Sequence, residues 1–539
     1  MRRCLALAAF ALAACGAPAT VKQPAAASAH AAPDATPKAP LEWAEFNDKT
    51  FARAKAEGKF VLMDGSAEWC HWCHVMEAVT YHDPAVSQIL RERFIAAKVD
   101  VDSRPDIEER YAAYGWPATV IFSPDAAELG KYRGYIAPDE FAELLRAVVS
   151  AGGGPEVAAA KLVPLADAPL TAEELASIAR SAQRGLDAYW DDAQAGWGLQ
   201  QKLGIPTTNA WTLRRARTDA VSRQRALAVL GQQRKIMDPI WGGIYQYSTD
   251  GDWEHPHFEK LMTYNAGALD NYAEAFELTG DAAWLDTAKQ LRGFISRFMM
   301  SPEGGFYATI DADLNAHEVG KTFLTGHEYY AKSEADRLAL GLPRIDKREY
   351  GRENGLVIAA LCSYFRATRD VTARDQASRC AARMVATHAS AKGGMTHDAS
   401  AGSDAARVLF LSDNAALAFG LARLAEEGAA PELLTSALGI ADFALAELED
   451  KRGGGFFAHT VDDAAVGVFA VRRKPLEDNV AMIRALIKLA VLSPAKAPVY
   501  RRAIDRGLRA IATPDAIKER GRFVGDLLLA LDEATARSR

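Results

Sequence analysis

Two short signals alternate through the last two thirds of this 539-residue chain, and their alternation constrains its fold more than any other feature. The first is a glycine cluster with a bulky neighbour: Gly196-Trp197-Gly198, Gly242-Gly243-Ile244, Gly304-Gly305-Phe306, Gly393-Gly394-Met395 and Gly453-Gly454-Gly455-Phe456. The second is an asparagine beside a small or β-branched residue that opens an apolar stretch: Asn209-Ala210, Asn265-Ala266, Asn354-Gly355, Asn414-Ala415 and Asn479-Val480. A weaker sixth unit, from Gly521 to Asp526, precedes Leu527-Leu528-Leu529. Glycine supplies the left-handed residue that closes a helix, and asparagine suits an N-cap or first turn. Each unit then reads as an outer helix, a glycine hairpin and an inner helix. Six such units predict an all-α (α/α)6 toroid. Its inner helices, such as residues 415–422, are small and apolar nearly all round, as buried helices should be. Their N-termini and the glycine hairpins should gather at one end, which is the expected pocket.

Upstream, Phe60-Val61-Leu62-Met63 is an apolar run of buried-strand type, and Val75, Met76, Val86, Ile89 and Leu90 follow with helical spacing. Between them lies Cys70-His71-Trp72-Cys73-His74. At a strand-to-helix junction, unpaired N–H groups and the helix dipole favour a thiolate. Cys70, expected to be the more exposed cysteine, is the candidate nucleophile, and Cys73 the resolving partner. His71 could stabilise the Cys70 thiolate when charged; Trp72 and His74 have packing as their default role. Three other readings stay open: the C-x-x-C-H spacing of c-type haem attachment, half of a zinc site that has no second C-x-x-C to complete it, and a pair of buried core cysteines. Context favours dithiol redox chemistry, with no cofactor and no metal.

That context is a resemblance to thioredoxins. Asp64 lies six residues before Cys70, where the family keeps a buried carboxylate that exchanges a proton with the second cysteine. The stretch from Ile95 to Asp102 resembles the following strand, with Lys98 as its lysine. The stretch from Tyr114 to Phe122 resembles the strand opened by the family's cis-proline, here Pro117. Glu68-Trp69 is the ordinary thioredoxin form, so Trp69 joins the supporting residues. Three longer motifs, CHWCHVM at Cys70 to Met76, HFEKLM at His257 to Met262 and EGGFYATIDAD at Glu303 to Asp313, resemble the spermatogenesis-associated protein 20-like family. The resemblance implies an α/β thioredoxin-like domain followed by a six-hairpin glycosidase-like toroid over nearly the whole mature chain. Glu68-Trp69 departs from that family's usual Ser-Thr.

Composition is that of ordinary globular material, 49% apolar and 25% charged, and a net charge of −7 argues against nucleic acid as a partner. Met1-Arg2-Arg3, an apolar stretch and Leu12-Ala13-Ala14-Cys15 resemble a lipoprotein signal, with a plain secretory signal as the alternative. Residues 1–15 are therefore expected to be a signal peptide, with Cys15 lipidated. Gly16 after it leans toward the outer membrane, with the protein facing the periplasm of a bacterial cell envelope. Residues 16–40, rich in Pro, Ala and Thr, read as a tether. Residues 41–150 read as the thioredoxin-like domain, 151–170 as a linker around Gly152-Gly153-Gly154-Pro155, and 171–539 as the toroid. Cys362 and Cys380 are expected to be reduced core cysteines rather than a bridge.

The leading functional expectation is a membrane-tethered thiol-disulfide oxidoreductase acting on protein thiols or disulfides. The alternative is a carbohydrate-active toroid, an epimerase or hydrolase with an accessory thioredoxin domain. In that reading His255 and His257 are the acid and base, and Trp241, Tyr245, Tyr247, Trp253 and Tyr264 stack on a sugar. Asp252, His257 and Glu259 could equally cap and cross-link the hairpins. Asp311, Asp313, Asp413, Glu477 and Asp478 are placed near inner-helix starts, where carboxylates also serve the helix dipole. The His255/His257 pair lacks a clear third ligand for a metal. A third reading makes the toroid a non-catalytic platform that presents protein partners to the dithiol.

Overall fold

The structure, a computed structural model, describes residues 41–152, 169–318, 320–399 and 407–536. The expected signal peptide, Cys15, the tether and most of the linker lie outside the described residues.

Residues from Ala44 onward form a five-stranded sheet in the order β1-β3-β2-β4-β5. β1 (Ala44–Glu45) and β2 (Phe60–Ser66) run parallel to β3 (Phe94–Asp100), while β4 (Ala118–Phe122) is antiparallel to β2 and β5 (Glu128–Arg133) to β4. β2 is buried along almost its whole length, which is why it reads as a continuous apolar run rather than an alternation. Val61 and Met63 pack on one face with Phe46, Phe51 and Ile95. Leu62 packs on the other with Leu90, Ile121, Phe141 and Leu145. The covering helices are α1 (Asp48–Glu57), α2 (His71–Val75), α3 (Pro84–Arg93), α4 (Pro105–Tyr111) and α5 (Pro138–Ala151), and a π-helical turn, Met76–Tyr81, extends α2.

The rest is helical. α6 (Ala172–Asp187), α7 (Pro206–Arg215), α8 (Ala220–Gln233), α9 (Met262–Thr279) and α10 (Ala282–Phe298) are followed by two short helices, α11 (Gly326–Tyr330) and α12 (Glu334–Leu340). Then come α13 (Gly351–Thr368), α14 (Val371–His388), α15 (Leu411–Glu426), α16 (Pro431–Phe443), α17 (Leu476–Leu492), α18 (Ala497–Ile511), α19 (Pro514–Arg520) and α20 (Gly525–Thr535). Helices α7, α9, α13, α15, α17 and α20 pack each on the next, and α20 packs back on α7, which closes the ring. α8, α10, α14, α16 and α18 lie outside, each against the inner helix before it, and α6 lies against α20. The chain is thus an α/β thioredoxin-like domain followed by an all-α (α/α)6 toroid. Residues 411–424 of α15 are buried on every side. α13 and α15 touch backbone to backbone: a Cβ on Gly355 would meet the Ala416 carbonyl carbon at 2.4 Å, and one on Gly420 the Gly355 oxygen at 2.5 Å.

The repeated asparagines do more than the expected capping. Asn265, Asn354, Asn414 and Asn479 each occupy the fourth residue of an inner helix. Each side-chain oxygen accepts the N–H of the residue just after a glycine cluster, namely Ile244, Phe306, Met395 or Phe456, at 2.6–2.9 Å. Each amide nitrogen donates to that same residue's carbonyl and to the carbonyl four residues back in the helix, at 2.7–3.2 Å. One amide therefore clamps each hairpin to its inner helix. Asn209, also fourth in its helix and buried, has neither amide atom hydrogen-bonded among the described residues. The glycines also sit differently from expectation. α10 ends at Phe298 and α14 at His388, whereas Gly304 (φ +99°) and Gly393 (φ +95°) lie several residues on. They donate to Ser301 and Ser390 in tight turns, so the left-handed backbone serves the turn and not the helix end.

A three-stranded antiparallel patch joins Lys260–Leu261, Thr309–Ile310 and Ile345–Asp346. It fixes the chain on either side of it: Glu259 just before the first strand, Asp311 just after the second. Among the described residues no helix is long and apolar enough to cross a membrane.

Candidate functional site

Cys70 is the N-cap residue of α2, and its sulfur accepts the Cys73 N–H at 3.1 Å. The two cysteines are joined as a disulfide, with Cα atoms 5.2 Å apart. The Trp116–Pro117 peptide is cis. Contrary to expectation, Cys70 is not the exposed member: it is 3% and Cys73 7% accessible. The reason is that toroid residues close over the motif.

The His71 N–H donates to Glu259 Oε1 at 3.4 Å, and His71 Nδ1 lies 2.7 Å from Asp313 Oδ2. His74 Nδ1 lies 3.4 Å from the same oxygen, and its Nε2 lies 3.0 Å from the Glu68 carbonyl. The Ala312 N–H donates to the Trp69 carbonyl at 3.4 Å. Leu261 and Tyr264, at the start of α9, pack on the apolar cluster that contains Cys70, Cys73 and Trp69. Four toroid arginines meet four thioredoxin acids around this contact. Arg344 pairs with Glu68 at 2.9 Å, Arg348 with Asp100 at 2.5 Å, Arg352 with Glu108 at 2.9 Å and Arg473 with Glu109 at 3.5 Å. Phe469 adds an apolar anchor among Phe46, Phe51 and Phe122.

Asp64 is buried in β2 and accepts a hydrogen bond from the Tyr81 hydroxyl at 3.1 Å. Burial pushes its carboxyl up to about 6, against the pull of Lys98, which lies opposite on β3 and pairs with Glu77 at 2.5 Å. Burial opposes a charge on His71, but the Asp313 hydrogen bond and the carboxylates of Asp313, Glu259 and Asp311 outweigh it and raise its pKa. Burial likewise opposes the Asp313 charge, yet hydrogen bonds from His71 and His74 hold that carboxyl far below the usual range. The Trp69 indole N–H donates to Asp102 at 2.6 Å, and burial, with Asp100 and Glu108 nearby, drives Asp102 well above the usual carboxylate range. Trp72 packs between His71 and Tyr135.

The other expected residues do not form one pocket. Glu259, Tyr264, Asp311 and Asp313 converge on the dithiol. Trp241, Tyr245 and Trp253 are core instead. Trp241 packs on Phe298 and under the Arg337 guanidinium, Tyr245 on Phe258 and Tyr330, and the Trp253 indole donates to the Gln194 carbonyl at 2.9 Å. His255 is exposed and faces Asp252, while His257 stacks on Tyr247 at 4.2 Å with Glu259 3.8 Å away. Asp413 faces His397 at 3.0 Å, and His397 reaches the Asp102 carbonyl at 2.7 Å. Arg520 and Arg352 hold Glu477 down to about 2, whereas burial pushes Asp478 up to about 8 and Glu353 to about 7. Cys362 and Cys380 are free and buried. Asp102, His317, Arg348 and Glu353 were not singled out from sequence, and Glu68 was noted only as part of the Glu68-Trp69 form. His317 lies four residues beyond the EGGFYATIDAD motif, close enough for that motif to have drawn attention to it.

Fold and site together define a thioredoxin-like dithiol domain docked by its active-site face on a helical toroid. Residues 30–149 match a family model described as Thioredox_DsbH, protein of unknown function, DUF255. The chain is similar to spermatogenesis-associated protein 20 of Mus musculus, 27% identical over 311 residues that make up 51% of this chain and 39% of that protein. It is also similar to thiol:disulfide interchange protein DsbD 1 of Pseudomonas aeruginosa, 33% identical over 129 residues, 22% of this chain and 21% of that protein. Among solved structures it resembles a cellobiose 2-epimerase from Spirochaeta thermophila, 14% identical with a TM-score of 0.49, covering 68% of this chain and 99% of that one. The resemblance to the spermatogenesis-associated protein 20-like family is thereby borne out, and the matched region is about two fifths of the length of those curated relatives. The expected placement as a bacterial outer-membrane lipoprotein facing the periplasm is overturned. The curated relatives that match half of the chain come from mouse, human, rat and a nematode and are not outer-membrane lipoproteins.

Proposed function

We propose that the chain is a thiol-disulfide oxidoreductase, with residues 41–150 as the redox module and 171–539 as a toroid that controls access to it. The observation that carries this reading is the Cys70–Cys73 pair at the start of α2. In the reduced protein, the Cys70 thiolate attacks a substrate disulfide, forms a mixed disulfide and releases one substrate thiolate. Cys73 then gives its proton to Asp64 and attacks the Cys70 sulfur, which restores the Cys70–Cys73 bond and releases the second substrate thiolate. A charged His71, held by Asp313, favours the Cys70 thiolate. The test is a mass-spectrometric trap. Cys73→Ala should accumulate mixed disulfides on Cys70, and yields no greater than those of Cys70→Ala would refute the reading.

The burial of the motif supports control of access by the toroid rather than presentation of partners: a protein substrate reaches Cys70 only when the contact around Asp313 opens. A carbohydrate ligand is the second reading. Glu353 and Asp478 favour it, because both stand at inner-helix starts with carboxyls that burial pushes up to about 7 and about 8. Calorimetric saccharide binding that Glu353→Gln abolishes would support it, and its absence across mono- and disaccharides would remove it.

A further inference from the structure

His74, the histidine that ends the CHWCH motif, meets two toroid residues in an arrangement the dithiol does not use. Its Nε2 lies 3.7 Å from Asp311 Oδ2, and His317 Nε2 lies 3.2 Å from that same oxygen. In a tetrahedral site with metal–ligand bonds of about 2.0–2.1 Å, ligand atoms stand about 3.3 Å apart, and the two separations bracket that value. The Glu68 carbonyl oxygen closes a further side, 3.0 Å from His74 Nε2 and 2.8 Å from His317 Nε2. The two imidazoles stand edge to face, with centroids 4.7 Å apart.

Two details say that a cation belongs there. Asp311 is 1% accessible, and the single proton that His317 Nε2 can carry is contested between the Glu68 carbonyl at 2.8 Å and Asp311 Oδ2 at 3.2 Å, so the buried carboxylate oxygen has at most a shared hydrogen bond. His74 is also bounded by acceptors at both ends: Asp313 Oδ2 at Nδ1, and Glu68 O with Asp311 Oδ2 at Nε2. The tautomer that satisfies Asp313 carries its proton on Nδ1 and turns the Nε2 lone pair toward those oxygens. A carboxylate that orients a ligating imidazole from behind is the usual outer partner of a metal-bound histidine.

We propose that His74, Asp311 and His317 bind a divalent cation of the zinc class. Two imidazoles and one carboxylate suit zinc. Because His74 and Glu68 come from the thioredoxin domain while Asp311 and His317 come from the toroid, the ion ties the dithiol face to its cover.

The test uses the full chain in its oxidised form, in which Cys70 and Cys73 have no thiolate to offer. Protein stripped with EDTA, loaded with zinc chloride and desalted should retain one zinc per chain by elemental analysis. Asp311→Asn and His317→Gln should each lose it while keeping the far-UV circular dichroism of the parent. Asp313→Asn should weaken it by about 10–100-fold, the effect of removing an outer partner. Cobalt in the same site should give visible d–d bands without a sulfur charge-transfer band. Retention of no zinc by the oxidised parent would overturn the proposal. So would undiminished zinc in folded His317→Gln, or a cobalt spectrum with sulfur ligation.

Discussion

Replacing Asp64 by asparagine should stabilise the oxidised protein and slow its chemistry, and the pH dependence of the gain follows from burial. The carboxyl ordinarily ionises near 3.8 but here near about 6. A raised pKa means that the stability contributed by the neutral acid is complete below the ordinary value and is lost as pH rises through the folded value. Each unit is worth about 1.4 kcal/mol, so ionising Asp64 costs the fold about 3 kcal/mol once the pH is well above 6. At pH 4.5 the same linkage gives about 1 kcal/mol. Asparagine keeps an oxygen for the Tyr81 hydroxyl and never ionises. The variant should therefore gain about 3 kcal/mol at pH 8 and about 1 kcal/mol at pH 4.5, read from guanidinium unfolding followed by tryptophan fluorescence. Its mixed disulfides should resolve about 100-fold more slowly, the scale of a lost general base. An equal gain at both pH values, or none, would refute the assignment of a buried, reluctantly ionised Asp64.

Asn414→Ala should cost about 3 kcal/mol, because it orphans the Met395 N–H and two buried carbonyls. Asn209→Ala, whose amide makes no such bonds, should cost far less, and equal losses in chemical unfolding would dismiss the clamp. His71→Gln should make the dithiol couple more reducing by about 30 mV, since a charge that favours the reduced thiolate is gone; an unchanged or higher potential in glutathione buffers would argue that His71 only packs. Arg352→Ala removes a paired hydrogen bond to Glu108 and one to Glu477. At about 2 kcal/mol for such bonds, the open state should grow and dithiothreitol should reduce the disulfide about 30-fold faster, whereas an unchanged rate would show that opening occurs elsewhere.

The dithiol was legible in sequence because its chemistry is local: strand, C-x-x-C and the residues after it are contiguous, and Asp64 stands a fixed distance upstream. The toroid was legible through the recurrence of glycine clusters and asparagines, although their mechanism was not. Asparagine at the fourth helical residue acts across the chain on Ile244, Phe306, Met395 or Phe456, and sequence shows the residue without its partner. The cover over Cys70 was hidden for the same reason. His71 and Asp313 are separated by 242 positions, and nothing in the spacing of either motif reveals that they meet. Trp241, Tyr245 and Trp253 illustrate the opposite limit: an aromatic near a polar stretch has the same signature whether it lines a pocket or fills a core.

The asparagine clamps carry a consequence for how the ring tolerates change. Each clamp fixes a hairpin through the single residue after its glycines, so the chain from there to the next inner helix has no length to keep. The stretch between Phe306 and Gly351 is where that freedom is used. Besides α11 and α12 it holds Asp311, Asp313, His317, Arg344 and Arg348, which the toroid lays against the dithiol face. Apart from Leu261, Tyr264 and Arg352, which sit at the starts of ring helices, these surroundings of the cysteines are written in a segment of their own, and it can be rewritten while the six-helix ring keeps its register.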